Sequence, residues 1–223
     1  MLFGYFLMIA PAMLLAVWAQ YRVKATYAAA QRMPASLSGA AAARHILDSA
    51  GLSQVSIEQV PGHLSDHYDP RDKALRLSPE VYGARSLAAV GIAAHEAGHA
   101  MQDAKNYAPL VIRNVAVPAA GFGSSTGMTL AMIGAIFHLP PLLMLGIILF
   151  AAVVLFQIVN LPVEFNASSR AKMVLVEHGI VSPQDMTYVN RVLNAAAWTY
   201  VAATLQAIMG LLYYVMRYAG SRN

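Results

Sequence analysis

The chain has 223 residues, of which 58% are hydrophobic and 12% charged, with a positive mean hydropathy. Soluble globular domains carry roughly a quarter charged residues, so this composition excludes an ordinary water-soluble domain. The formal charge of +4 is not gathered into a dense basic patch, which argues against a nucleic-acid partner, and the absence of cysteine removes disulfides and thiolate metal ligands.

The first apolar run covers residues 2–18, near the short limit of the roughly 20 residues that a membrane helix needs. Pro11 is tolerated in such a helix. Arg22 and Lys24 follow the run, whereas a cleaved signal peptide carries its positive charge ahead of it, so an uncleaved anchor is expected. Ser38 is suited to cap a helix running to about Ala50, with Gly51 as its stop. Residues 54–60 alternate, with Val55, Ile57 and Gln59 on one face. Residues 65–68 and 73–77 flank Asp69-Pro70-Arg71-Asp72 as two short strands around a turn. The strand at 73–77 either completes a small sheet or forms an edge open to an extended substrate. Ser78-Pro79-Glu80 is a helix start, and the pattern carries that helix through His95 and His99 to about Ala104.

No Asp, Glu, Lys or Arg occurs between Asn114 and Val163. His138-Leu139-Pro140-Pro141 breaks this stretch into spans over about 115–137 and 140–160. Gly121, Gly123, Gly127 and Gly134 permit close helix packing in the first of them. Pro162 is then expected to open a helix with Glu164 in its first turn, ending near His178 before Gly179. A last span covers about 195–216, with Trp198 and Tyr200 near one end and Tyr213, Tyr214 and Tyr218 near the other, as interfacial aromatics are placed.

Four crossings leave two polar regions on one side. Those regions hold all 11 acidic residues and 13 of the 15 Lys and Arg, because only Arg217 and Arg222 follow the last span. The positive-inside rule puts that side in the cytoplasm. The expected fold is a mainly α integral membrane protein with about four transmembrane helices and a small α+β cytoplasmic domain. Its segments are an anchor (1–19), a cytoplasmic region (20–114), a transmembrane hairpin (115–160), cytoplasmic helices (161–194), a transmembrane helix (195–218) and a tail (219–223).

The chemistry gathers at His95-Glu96-Ala97-Gly98-His99. Residues four apart share a helix face, so both imidazoles can meet one metal ion while Glu96 takes a proton from activated water. Zinc suits imidazole and carboxylate ligands and keeps a position open for water. A third ligand is sought among Asp103, His138, Glu164, Glu177, His178 and Asp185. His138 falls on the far side of the membrane, whereas two crossings return Glu164 to the side of the histidines. Glu164 also fits a plainer role, as a first-turn acid complementing a helix dipole.

The segment from His95 to Ala100, with Met101-Gln102 after it and Ser78-Pro79-Glu80-Val81-Tyr82 before it, resembles the YugP-type membrane zinc metallopeptidases. Asp66-His67-Tyr68-Asp69-Pro70 and Glu164-Phe165-Asn166-Ala167-Ser168 are similar to segments of the same family, which is related in pattern to the HtpX-like proteases. The resemblance covers most of the chain. It implies a zincin-like region and a gluzincin-type site, with one zinc ion held by His95, His99 and Glu164 and with Glu96 as the catalytic base. HtpX-like enzymes usually carry Asp four residues after the ligand Glu, where this chain has Ser168. A carboxylate orienting a zinc histidine must then come from elsewhere, Asp103 being one candidate, or be absent. His67, Tyr68, Arg170 and His178 are candidate donors to a transition-state oxyanion, each equally readable as a surface or capping residue.

The leading functional reading is a multi-pass zinc metalloendopeptidase of the cell membrane. It would cleave membrane or membrane-proximal polypeptides at the cytoplasmic face through zinc-activated water, with membrane-protein quality control as its role by analogy. An intramembrane protease is a second reading, but Arg85, Asp103 and Lys105 bracket the motif too closely for a buried span. A membrane scaffold or chaperone-like protein with structural zinc is the third, and it has no need of Glu96.

Overall fold

The structure, a computed structural model, describes residues 2–220; Arg222 and the end of the expected tail lie outside the described residues. In chain order the elements are α1 (Leu2–Gln31), α2 (Gly39–Ser49), β1 (Ser56–Gln59), β2 (His67–Asp69), β3 (Ala74–Leu77), α3 (Pro79–Tyr82), α4 (Leu87–Ala104), α5 (Ala108–Phe122), a π-helical segment (Gly123–Gly127), α6 (Met128–Ile136), α7 (Pro140–Glu177) and α8 (Met186–Gly220). Among the described residues, four helical stretches are long and apolar enough to cross a membrane: Phe3–Gln31, Ala108–Ile136, Pro140–Glu177 and Met186–Gly220. The chain divides into two compact units.

One unit comprises Met1–Ala19, Pro109–Pro162 and Trp198–Asn223. Its outward side chains are largely apolar, among them Phe3, Leu14, Val115, Ile148 and Leu155. An apolar surface of that extent is uncommon on a water-exposed protein and accords with helices long and apolar enough to cross a membrane. Glycines set the spacing of the hairpin. A Cβ on Gly146 would stand 2.2 Å from the backbone nitrogen of Ala131, and one on Gly134 would stand 2.3 Å from that of Leu143. Gly123 and Gly127 approach the backbone of Leu149 and Phe150 in the same way, but Gly121 has nothing within 4 Å and faces open space, contrary to the packing role expected of it. The π-helical turn between Gly123 and Gly127 leaves those two glycines on the packed side. Elsewhere in this unit Tyr213 packs edge to face on both Tyr5 and Tyr214, with centroids 5.2 Å and 5.4 Å away.

The other unit comprises Gln20–Ala108 and Val163–Ala197. Its three strands lie in the order β1-β3-β2, with β3 parallel to β1 and antiparallel to β2. The strand at 73–77 is therefore central, with both sides paired, and is not an edge open to substrate. Arg76 on β3 ties the sheet together through Glu58 on β1, Asp69 on β2 and Asp72 in the turn. The inner face joins α2, α4, the C-terminal part of α7 and the N-terminal part of α8 around Ile46, Leu47, Leu75, Leu77, Val90, Leu175 and Val189.

Two expected helix boundaries are corrected. Ser78-Pro79-Glu80 opens only α3, and α4 starts afresh after Ser86, whose hydroxyl accepts from the amide of Ala89. The break has a cause in backbone pairing. The carbonyls of Ala84 and Arg85 accept from the amides of Gly39 and Ala35, and the amide of Leu87 donates to Met33, so the segment is committed outside any helix. Ser78 does not cap α3 with its side chain; its amide and hydroxyl are held by the carboxylate of Asp66. The second correction is at Pro162, which opens no helix and lies inside the continuous α7. Proline removes one intrahelical bond, a small loss in a helix of 38 residues. Glu164 is thus no first-turn acid.

Gly146→Ala should lower thermal stability in detergent by about 1–3 kcal/mol through overpacking against Ala131. Gly121→Ala, in open space, should leave stability unchanged or slightly raised.

Candidate metal centre

His95 and His99 lie one turn apart on α4, with ring centroids 4.8 Å apart and planes at 86°. Glu164 comes from α7, and its Oε2 lies 3.2 Å from His95 Nε2 and 3.6 Å from His99 Nε2. The three ligand atoms fall within 4.8 Å of one another, and His99 and Glu164 are buried. Ligands held at zinc's usual distances around a tetrahedron stand about 3.3 Å apart, so this donor set and spacing fit a zinc ion.

For His99, hydrogen bonding on the far side of the ring decides which nitrogen is free. The Nε–H of Arg170 can only donate, and Asn166 Oδ1 accepts it at 2.7 Å. Gln102 Nε2 donates to that same oxygen at 3.0 Å and to the carbonyl of Val163 at 2.8 Å. Gln102 Oε1 is thereby left as an acceptor 3.0 Å from His99 Nδ1. His99 must carry its proton on Nδ1, leaving the Nε2 lone pair facing Glu164. On His95, Nδ1 is 3.1 Å from Ser168 Oγ. Such outer contacts orient metal-binding imidazoles and tune their basicity.

Gly98, between the two histidines, permits a close approach of α4 and α7: a Cβ there would stand 2.7 Å from the carbonyl oxygen of Ala167. Gly91 similarly admits Val189 of α8. Glu96 is buried beside the ligands, and in the metal-free chain burial pushes its carboxyl up to about 7; the charge of His95 opposes the rise, and those of Glu164 and Asp66 add to it.

The remaining candidates separate by location. Asp103 is engaged away from the histidines, accepting from Tyr68 Oη at 2.7 Å and pairing with Lys73. Burial first, then the bond to Asp103, raise the Tyr68 phenol and keep it a donor. His67 bonds through Nδ1 to the carbonyl of Ser65. Arg170 serves the Asn166–Gln102 chain, and His178 packs edge to face on His45. The hydroxyl of Ser182 accepts from the amide of Asp185 and donates to its carboxylate, Glu177 ends α7, and His138 belongs to the unit without the ligand cluster. Gln102 and Asn166 stand in the sequence reading only as parts of motifs, without a role, and Ser168 stands there only as the place of a missing carboxylate. Gln102 at three residues past His99, and Ser168 at four past Glu164, have the spacing that puts side chains on one helix face.

A protein family described as "Putative neutral zinc metallopeptidase" matches residues 5–219. The chain belongs to that family. It is also 45% identical over 211 residues to "Putative membrane protease YugP" of Bacillus subtilis (strain 168), an alignment covering 94% of each protein. No solved structure matches the chain. In this zinc-metallopeptidase family member, the buried cluster of two histidines and a glutamate supplies ligands of the type zinc takes.

Gln102→Leu keeps the side chain's bulk but removes the acceptor from His99. Zinc affinity, measured by competition with a chelator, should fall about 10–100-fold while the helical circular dichroism is retained.

Proposed function

We propose that the chain is a membrane-spanning zinc endopeptidase of the gluzincin type, in which His95, His99 and Glu164 hold one zinc ion and Glu96 is the general base. The observation that carries the proposal is a buried acid standing beside a cluster of three possible ligands whose donor atoms lie within 4.8 Å of one another, with Nε2 of His99 left as the free nitrogen. When bound, zinc would supply Lewis acidity, polarising a peptide carbonyl and making water acidic enough to ionise near neutral pH.

The chain's own residues do the rest. Glu96 accepts the proton of the attacking water and delivers it to the leaving amine nitrogen, and its buried position keeps that carboxylate from competing bulk water. Gln102 and Ser168 hold the imidazoles against rotation, so the ligands need little rearrangement as the reaction proceeds. The substrate is a polypeptide in or near the membrane, a reading supported by the four candidate spans of the chain and by the Bacillus relative's name as a putative membrane protease. Surveillance of misfolded membrane proteins is the role by analogy. The basic flanks of the four candidate spans support a cytoplasmic site.

A scaffold with structural zinc is separated from this reading by two substitutions. Glu96→Gln should bind zinc as the unchanged chain does, yet cleave an unfolded membrane protein about 10²–10⁴-fold more slowly; Glu164→Gln should lose zinc and activity together. Full activity in Glu96→Gln would sink the peptidase mechanism. Sidedness has a separate test, since a reporter fused to the C-terminus should lie outside the cytoplasm. A cytoplasmic reporter would overturn the orientation or the number of crossings.

A further inference from the structure

A second concave site lies in the same unit as the ligand cluster but on other elements. A groove of about 500 Å³ runs between α1 and α8, walled by Tyr21 and Arg22 on one side and Tyr188 and Arg191 on the other, with Ala25 and Ala29 along α1. On α1 these residues follow a helical stripe in which the alanines leave room at the base. On α8, Tyr188 and Arg191 are three apart and share a face. Neither α1 nor α8 contains an Asp or Glu anywhere along its length.

The groove lies where each helix changes character. Arg22 comes one turn after Trp18, the last aromatic of the apolar run on α1, and Arg191 comes two turns before Trp198 on α8. Trp18 and Trp198 stack edge to face with centroids 5.7 Å apart, and both are exposed. Exposed tryptophan marks the level of lipid headgroups. Two guanidiniums at that level, with phenol hydroxyls beside them, match a phosphodiester: the guanidinium fork takes two phosphate oxygens at once, and the phenols donate to others. With no carboxylate on either helix to receive a headgroup ammonium, the groove favours lipids of net negative charge over zwitterionic ones.

We propose that the groove between α1 and α8 binds the phosphodiester headgroup of an anionic membrane phospholipid through Arg22 and Arg191. The site is independent of the peptidase chemistry, since none of its residues belongs to the His95–His99–Glu164 cluster.

The test uses the full zinc-loaded chain, released from nanodiscs of equal phosphatidylglycerol and phosphatidylcholine, with retained lipid counted by native mass spectrometry. The unchanged chain should retain phosphatidylglycerol preferentially. Arg22→Gln combined with Arg191→Gln should weaken that retention about thirtyfold, the loss expected for two arginines at an anionic surface. Arg217→Gln removes the same kind of charge from the other end of α8 and should change nothing. Equal loss from Arg217→Gln, or none from the double variant, overturns the proposal. Displacement of phosphatidylglycerol by equimolar inorganic phosphate also overturns it, because the groove would then be a free-phosphate site. Should the double variant fail to fold, Arg22→Lys with Arg191→Lys preserves charge but removes the bidentate fork. Severalfold weaker retention in that variant supports the proposal, and undiminished retention contradicts it.

Discussion

The Cβ that Gly98 lacks would stand 2.7 Å from the carbonyl oxygen of Ala167, and this contact sets the spacing of α4 and α7. Glu164 lies one turn before Ala167 on α7, and His95 and His99 flank Gly98 on α4, so a close backbone approach becomes a close approach of ligands. Any larger residue would push the helices apart, because the obstructing atom is backbone and cannot swing aside. Separation by even an ångström would move the Glu164 oxygen out of reach of an ion shared with both Nε2 atoms. The same helix pair carries Gln102 and Asn166, whose hydrogen bond crosses between them, and Ser168, which faces His95. One contact therefore governs both the ligands and the groups that orient them.

Burial makes this arrangement demanding. Glu96 and Glu164 lie close enough for the charge of one to raise the pKa of the other, and both are largely removed from water. Two carboxylates in such surroundings are costly unless paired. Glu164 has two imidazoles beside it, whereas Glu96 answers burial by holding its proton to about 7 in the metal-free chain. A divalent cation at the proposed centre would change that balance by favouring both carboxylates in their charged form. In the polar chain from Arg170 to His99, the Nε–H of Arg170, both amide hydrogens of Gln102 and Nδ1 of His99 each meet an acceptor, and hydrogen bonds made in this way are what let a buried network rigidify instead of destabilising.

The four candidate spans are legible in the sequence because apolar runs of that length have few other fates, and the His95–His99 pair because a four-residue spacing has one geometric meaning on a helix. Turn chemistry also reads well: Ser38 caps α2 as expected, and Gly51 and Gly179 adopt the positive φ that ends their helices. The failures are informative. Ser78-Pro79-Glu80 carries every local signal of a long helix start, yet pairing of residues 84–87 with the segment 33–39, distant in sequence, ends α3 after one turn. Pro162 reads as a boundary because local rules weigh the lost hydrogen bond, whereas the surrounding 38-residue helix absorbs it. The glycines could be matched to packing only as a group; that Gly121 faces open space depends on the π-helical turn that follows α5, which no local pattern announces. Asp103 reads as a candidate supporting carboxylate because histidine partners in metal sites are so often acids. An amide and a hydroxyl fill those positions, and Asp103 instead joins α4 to Tyr68 and Lys73.

X-ray absorption at the zinc edge tests the central claim most directly. The account predicts two imidazole nitrogens and oxygen ligands at about 2.0–2.1 Å, with one imidazole lost from the spectrum of His99→Ala. A first shell of oxygen atoms without imidazole scattering, or a spectrum unchanged by that substitution, would contradict it.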